Sequence, residues 1–565
     1  MRTARQPLLR LTRELDRYAL FVATAAFTLV ATAEATGGIE IPGGTLTLCL
    51  YPAALLAMDG LRTGDLLSRE LRACAAWSLL VPVAFVLVPR LTASGLVAVG
   101  MPIAIGAGFL TAKRPAAAVV IAMLLTGIGG TFQAYLGLSP SPLIDLALAA
   151  IWIVVLARIV LGRPYEFVAW PAILGCCLYF GLTIVDLATS DQIGVAWFGF
   201  HTTVWFMLAF VAMAYAGWSR ETYRRIAIGF VGVTALLAGY ATLRWAIGPS
   251  GAEAELATIA GGGINVDPID KHLKTVGTFN TAHQLAFWAA FMGPFCAAVA
   301  LWATGWRRLM ALLGVVLCVS AMAASEARAP LVGFVVGLAV VLLLHQAARA
   351  FPGFKGGILA LAVAGVAVVG GGALALSASD PAELARYTRI LEPNSDPTFI
   401  QRQLKWDQVM QEVDDHPFGK GLGTGGAGAS RSPYVELSTF NIDNSYLKIA
   451  YEQGLLVMAL FVAAILALLA RMAVGSMRTR SREGAALAFG ACGTLVSMLV
   501  SFYTGLYIEV PAVLAGWLVV GLGLSHLVTR EAAETAPASV REREARLLPG
   551  GAPARAAGWA TLRAR

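Results

Sequence analysis

Apolar runs of about 18 to 25 residues recur from one end of the sequence to the other, each long enough to cross a hydrocarbon core about 30 Å thick. In lipid every backbone N–H and C=O must be satisfied within the protein, so runs of this length are helical spans. Only 13% of the 565 residues are charged, whereas a soluble chain carries about 25%. The mean hydropathy of +0.71 agrees. The sequence therefore describes an all-α, polytopic membrane protein.

Charged breaks divide the apolar runs into as many as 16 spans. They lie near 18–34, 45–60, 73–89, 92–110, 115–136, 142–161, 166–186, 195–217, 226–246, 284–303, 309–324, 329–346, 357–377, 445–470, 484–504 and 509–528. Without the weakest two, 45–60 and 357–377, the number is 14. Short basic breaks alternate with breaks nearly free of Lys and Arg: Lys113/Arg114, Arg158/Arg163, Arg220/Arg224/Arg225, Arg307/Arg308 and Arg471/Arg478 are examples of the first kind. Positive loops stay in the cytoplasm, which places both termini there. Arg2, Arg5, Arg10, Arg13 and Arg17 precede the first span with no small-residue cleavage site, so a cleaved signal is not expected. All seven cysteines sit in apolar runs without zinc-ligand spacing and read as packing residues. The net charge of +8 is dispersed over loops and tail, and points to no nucleic-acid partner.

This arrangement yields six segments. Residues 1–246 are N-terminal spans, 247–283 a first outer loop, 284–377 further spans, 378–444 a large outer loop, 445–528 the C-terminal spans, and 529–565 a polar, disordered cytoplasmic tail. Two long polar loops on one side are more than a channel or scaffold needs.

The larger loop contains a readable helix start, with Asp396 as N-cap and Pro397 in the first turn. At 100° per residue Phe399, Trp406, Val409, Met410 and Val413 share one face, and Arg402 stands in the middle of it. A guanidinium on an apolar stripe needs a partner, either a neighbouring carboxylate or a bound anion such as phosphate. The glycines of "GKGLGTGGAG" follow His416-Pro417 and allow tight turns or close approach to a ligand, but their spacing is not that of a phosphate-binding P-loop. Arg328 in "ASEARAP" lies at the outer edge between two spans, where an ionisable residue is a functional candidate. Lys274, Asn280 and His283 come just before another span, and Asp443, Asn444 and Tyr446 just before a third. Lys274, Arg328, Arg402 and Lys420 thus stand on the face that also carries His283 and Asp443, a setting suited to an anionic, partly lipidic substrate. Tyr446 and Glu452 read as substrate contacts or packing residues, with packing the simpler role.

At these residues the chain resembles the O-antigen ligase and Wzy-type polysaccharide polymerase superfamily. "GTFNTAHQLAFW", "SEARAP", "RQLKWDQVMQEVDDHPFGKGLGTG" and "IDNSYLKIAYEQGLL" match the family's motifs in order, covering about 277–456. The resemblance implies a GT-C-like membrane fold in a bacterial inner membrane. It also implies glycan transfer from an undecaprenyl-diphosphate carrier to an acceptor sugar hydroxyl at the periplasmic face, with no cofactor, metal or nucleotide sugar. The partners would be a lipid-linked oligosaccharide, an acceptor glycan, membrane lipid and other polysaccharide-assembly proteins, in exopolysaccharide or lipopolysaccharide biosynthesis. Arg328 and Arg402 would clamp the departing phosphate with Lys420 and Lys274 assisting, and Asn444 and Tyr446 would contact substrate. Ligases usually place a histidine directly before the Asn; here it is Asp443, which favours a polymerase over a ligase. Asp443 is then the expected proton acceptor, with His283 as the substitute. A lipid-linked-sugar flippase is the non-enzyme alternative, but it commonly shows repeated halves and midplane polar residues, and neither is evident here.

Overall fold

The computed structural model describes residues 114–136, 141–160, 171–260, 273–349, 397–429, 442–479 and 481–535, with Thr111 and Asn265 singly. The spans expected before 111 and at 357–377, the N-cap Asp396, and the tail beyond 535 lie outside the described residues. Among the described residues no strand forms, and seven helices are long and apolar enough to cross a membrane.

The elements follow the hydropathy pattern closely. Helices α1 (Pro115–Leu125) and α2 (Gly129–Leu136) meet at a 66° bend, so the run expected at 115–136 is not one straight helix. Then come α3 (Ser141–Val160), α4 (Pro171–Thr189), α5 (Ile193–Tyr215), α6 (Arg220–Ile247) and the short α7 (Gly251–Ala260). Spans α8 (Ala282–Trp302), α9 (Trp306–Ser325) and α10 (Arg328–Arg349) precede α11 (Pro397–Asp415), the amphipathic helix, and a single turn α12 (Gly426–Ala429). The last elements are α13 (Ser445–Gln453), α14 (Leu455–Arg478), α15 (Arg482–Thr504) and α16 (Ala512–Thr535). One expected span needs correction: 445–470 is two helices, because Gly454 turns the chain at φ 89° and the membrane-length helix begins at Leu455. Helix α16 also continues past Glu531, into the stretch expected to be tail.

Helices α8 and α15 are the most enclosed, packed against each other and against α9, α10 and α16. Their contact solves a backbone problem. Pro294 inside α8 has no N–H to donate to the carbonyl of Ala290, and Ser497 Oγ of α15 donates to that oxygen instead at 3.0 Å. Thr494 Oγ1 does the same for Phe291 O at 2.8 Å. Small residues let the chains approach this closely: Gly333 and Gly337 of α10 face Gly493 and Ser497 of α15. A Cβ on Gly337 would stand 2.5 Å from Gly493 O. Gly337→Leu should therefore force the helices apart and cost about 1–3 kcal/mol or more. An apparent melting temperature equal to wild type in detergent would disprove this close contact.

The two ends of the bundle are distinct. At one, Tyr135 and Ser250 hydroxyls meet at 2.7 Å, Thr275 N donates to Ala324 O, and Gly130 N to Thr278 O. At the other, Arg220 pairs with Glu483 at 2.9 Å and donates to Ser481. The first end joins the breaks expected outside, the second those expected in the cytoplasm.

Candidate active site

The first of these ends gathers chain segments that are far apart in sequence. Loop 273–281 brings Lys274 to the junction of α9 and α10, where burial lowers the pKa of its ammonium from the ordinary lysine value, Glu326 opposing and Arg328 adding to the effect. Glu326 sits at φ 56°, in the left-handed region that residues other than glycine rarely occupy, and ends α9 just before Arg328 opens α10. Thr281 caps α8 through its side chain, so His283 lies in the first turn. Lys274 and Arg402 are both within electrostatic reach of the His283 ring. Its Nδ1 is buried without a hydrogen-bond partner among the described residues, as is Asn280 Oδ1. Unsatisfied buried polar atoms are uncommon, and one beside two cations, His283 Nδ1 near Lys274 and Arg402, marks a place for a ligand or water.

Helix α11 supplies the next cation. Val409 and Val413 are buried against Ile442, Ala450 and Tyr451, which seats the helix on α13 as its apolar face requires. Trp406 packs on Tyr503 of α15 with ring centroids 5.2 Å apart. Arg402, one turn earlier, does not take a carboxylate: its Nη1 donates to the carbonyl of Thr504 at 3.1 Å. Among the described residues that is its one hydrogen bond, and the rest of the guanidinium fork is left for an acceptor. The side chain of Phe399 is not among those described.

Helix α13 closes the site. Asn444 is its N-cap, the side chain accepting from the N–H groups of Tyr446 and Leu447 at 2.9 and 3.1 Å. Tyr446 points inward and its hydroxyl donates to Leu499 O at 2.8 Å. Both side chains expected to contact substrate are thus engaged in building the fold. Asp443 precedes the cap, half-exposed, with Lys405 Nζ 3.9 Å away. Asp443 and Arg402 both act electrostatically on Tyr507, in the turn after α15. Lys274, His283, Arg328, Arg402 and Asp443 are in this way linked, neighbour to neighbour, at one end of the bundle.

Lys420 is not among them. It pairs with Glu412, lies over the Tyr451 ring at 5.4 Å, and belongs to the far end of α13. That helix has nine residues, about 13 Å at 1.5 Å per residue. The glycine-rich loop is there too, and the close approach its glycines permit is to the protein itself. Lys420 N and Gly421 N donate to Tyr451 O and Glu452 O at 2.8 and 2.9 Å, capping α13. Gly423, at φ 79°, rests on α5, where an added Cβ would stand 2.1 Å from Val195 O.

One group was missed in the sequence. Lys448 Nζ lies 2.6 Å from Glu452 Oε2 and 3.0 Å from Glu509 Oε1, and the three residues are 0%, 1% and 8% exposed. The i,i+4 spacing of Lys448 and Glu452 was a readable signal; Glu509 had none.

The fold and site together define a multi-pass membrane protein with a cluster of cations at one end of its helices. Residues 313–462 match the family model described as O-antigen ligase, and over this stretch the chain is O-antigen ligase-like. The match holds Arg328, Arg402 and Asp443, while Lys274, His283 and Tyr507 lie outside it and are joined to them by the fold. No curated protein matches the chain.

Proposed function

We propose that the protein is a glycosyltransferase of GT-C type that polymerises glycan repeat units at the periplasmic face of a bacterial inner membrane, using an undecaprenyl-diphosphate-linked donor. The O-antigen ligase match supports ligase- or polymerase-type chemistry in general. The observation that carries the finer reading is the gathering of Lys274, Arg328 and Arg402 at one end of the bundle with Asp443 and the unpartnered His283 Nδ1.

In this reading the acceptor hydroxyl oxygen attacks the anomeric carbon of the donor sugar. The bond from that carbon to the phosphate oxygen breaks, and the lipid diphosphate leaves with the bonding electrons. A diphosphate is a stable leaving group, so the demand falls on stabilising the charge it gathers, which Arg328 and Arg402 meet with Lys274 alongside. The hydroxyl proton passes to Asp443 late in the displacement. Asp443→Asn should then slow transfer by about 10²–10⁴-fold. Full activity in that variant would move the proton to His283.

A second reading is supported by the description of the matching family: transfer of the finished glycan to lipid A-core or to a protein. Purified protein given only a lipid-linked repeat unit separates the two. A ladder of lengthening chains establishes the polymerase. Transfer that appears only when lipid A-core or protein acceptor is added establishes the ligase. No product in any mixture overturns both.

A further inference from the structure

Burying two carboxylates around one ammonium is seldom the most stable way to fill a core, since apolar residues of like volume often serve as well or better. What such a cluster does supply is fixed geometry. Ser445, Lys448 and Glu452 recur at i, i+3 and i+7 and so lie along one face of α13. Ser445 Oγ donates to Gly505 O at 2.8 Å and accepts from the N–H groups of Tyr507 and Ile508 at 3.1 and 3.3 Å. One turn on, Lys448 holds Glu509, the far end of the same 505–509 turn. Another turn on, Glu452 Oε1 accepts from Gly425 N at 3.0 Å and pins the glycine-rich loop. Lys448 also reaches Thr203 Oγ1 at 3.4 Å, within the π-helical turn His201–Trp205 of α5. This face of α13 therefore grips the turn that begins just after Thr504, and the Thr504 carbonyl is what holds Arg402.

We propose that Lys448 is a positioning residue for glycan transfer: through Glu509 it fixes the 505–509 turn, and through that turn the place where Arg402 meets the leaving phosphate. Lys448 itself touches no substrate. The inference rests on the transfer reading of the site, and its signature is coupling to Arg402 over and above any loss of stability.

The test is a double-mutant cycle on the full chain, with Lys448→Met, Arg402→Lys and the pair compared in reconstituted transfer and in binding of undecaprenyl diphosphate. Lys448→Met should lower kcat at least tenfold with donor KM little changed. The double variant should be no slower than Arg402→Lys alone, to within about threefold, because coupled residues do not add. Losses that multiply in the double variant, or wild-type kcat in Lys448→Met, would overturn the inference. If Lys448→Met is not recovered folded, Glu509→Gln replaces it in the same cycle, since it keeps the shape and removes the charge partner. If the wild type transfers nothing, the proposed function fails instead, and the binding arm of the cycle still decides whether Lys448 acts on Arg402.

Discussion

Arg402→Ala and Arg328→Ala are each expected to take transfer below detection while the protein still reaches the membrane. In the proposed mechanism both cations meet the negative charge that gathers on the departing diphosphate, and removing one such donor costs about 10²–10³-fold in rate. The structure makes the Arg402 variant the more informative. Its side chain is half-buried on α11 and, among the described residues, anchored by a single hydrogen bond to Thr504 O, so its loss removes little packing. Arg402→Lys keeps the charge but not the planar fork, and should fall between wild type and alanine. The check is the initial rate with lipid-linked donor, alongside the yield of folded protein in detergent. Normal product from Arg402→Ala would remove the clamp from the mechanism. Product lost only in proportion to folded protein would make Arg402 a structural residue.

The second large effect belongs to Gly423→Ala, which should prevent the folded protein from accumulating. Left-handed backbone costs an L-residue about 1–3 kcal/mol, and forcing atoms into a filled space adds a similar amount. At this position both apply: φ is 79°, and the new Cβ would stand 2.1 Å from a carbonyl of α5. That carbonyl belongs to a helix and cannot swing away without breaking its own hydrogen bond. Gly194, nearby on α5, has nothing within 4 Å of the place a Cβ would take, so Gly194→Ala is the matched control and should be neutral or slightly stabilising. Equal melting of Gly423→Ala and wild type would show that the glycine-rich loop is not seated on α5.

The difference between what the sequence conveyed and what it hid follows the range of the interactions. Within the described residues the membrane helices were legible because lipid imposes one pattern locally, and Arg402 stood out as a cation among Trp406, Val409 and Val413. That Lys274, His283, Arg328 and Asp443 share an end of the bundle was legible from loop charges alone. Their mutual approach was not, since it depends on how α8, α10 and α15 pack. The Asn444 cap is local, its partners being the N–H groups of Tyr446 and Leu447, whereas the partner of the Tyr446 hydroxyl, the carbonyl of Leu499, lies 53 residues away and leaves no local sign. Lys420 was read as a phosphate ligand although Glu412, eight residues earlier, holds it. The 445–470 run concealed its break because Lys448 and Glu452 neutralise each other inside the protein and leave only Gly454 as a sign.

That break at Gly454 separates two mechanical duties. Helix α14 begins beyond it with Leu456 76% exposed on a membrane-length apolar helix, and such a span tilts to match the thickness of the surrounding bilayer. Helix α13, before the break, is fastened to the protein by Ser445, Lys448 and Glu452 rather than to lipid. Gly454 is itself held between them, since a Cβ there would stand 2.4 Å from Pro417 O. The apolar helix thus starts from a fixed turn, while Asp443, at the other end of α13, takes its place from contacts inside the protein.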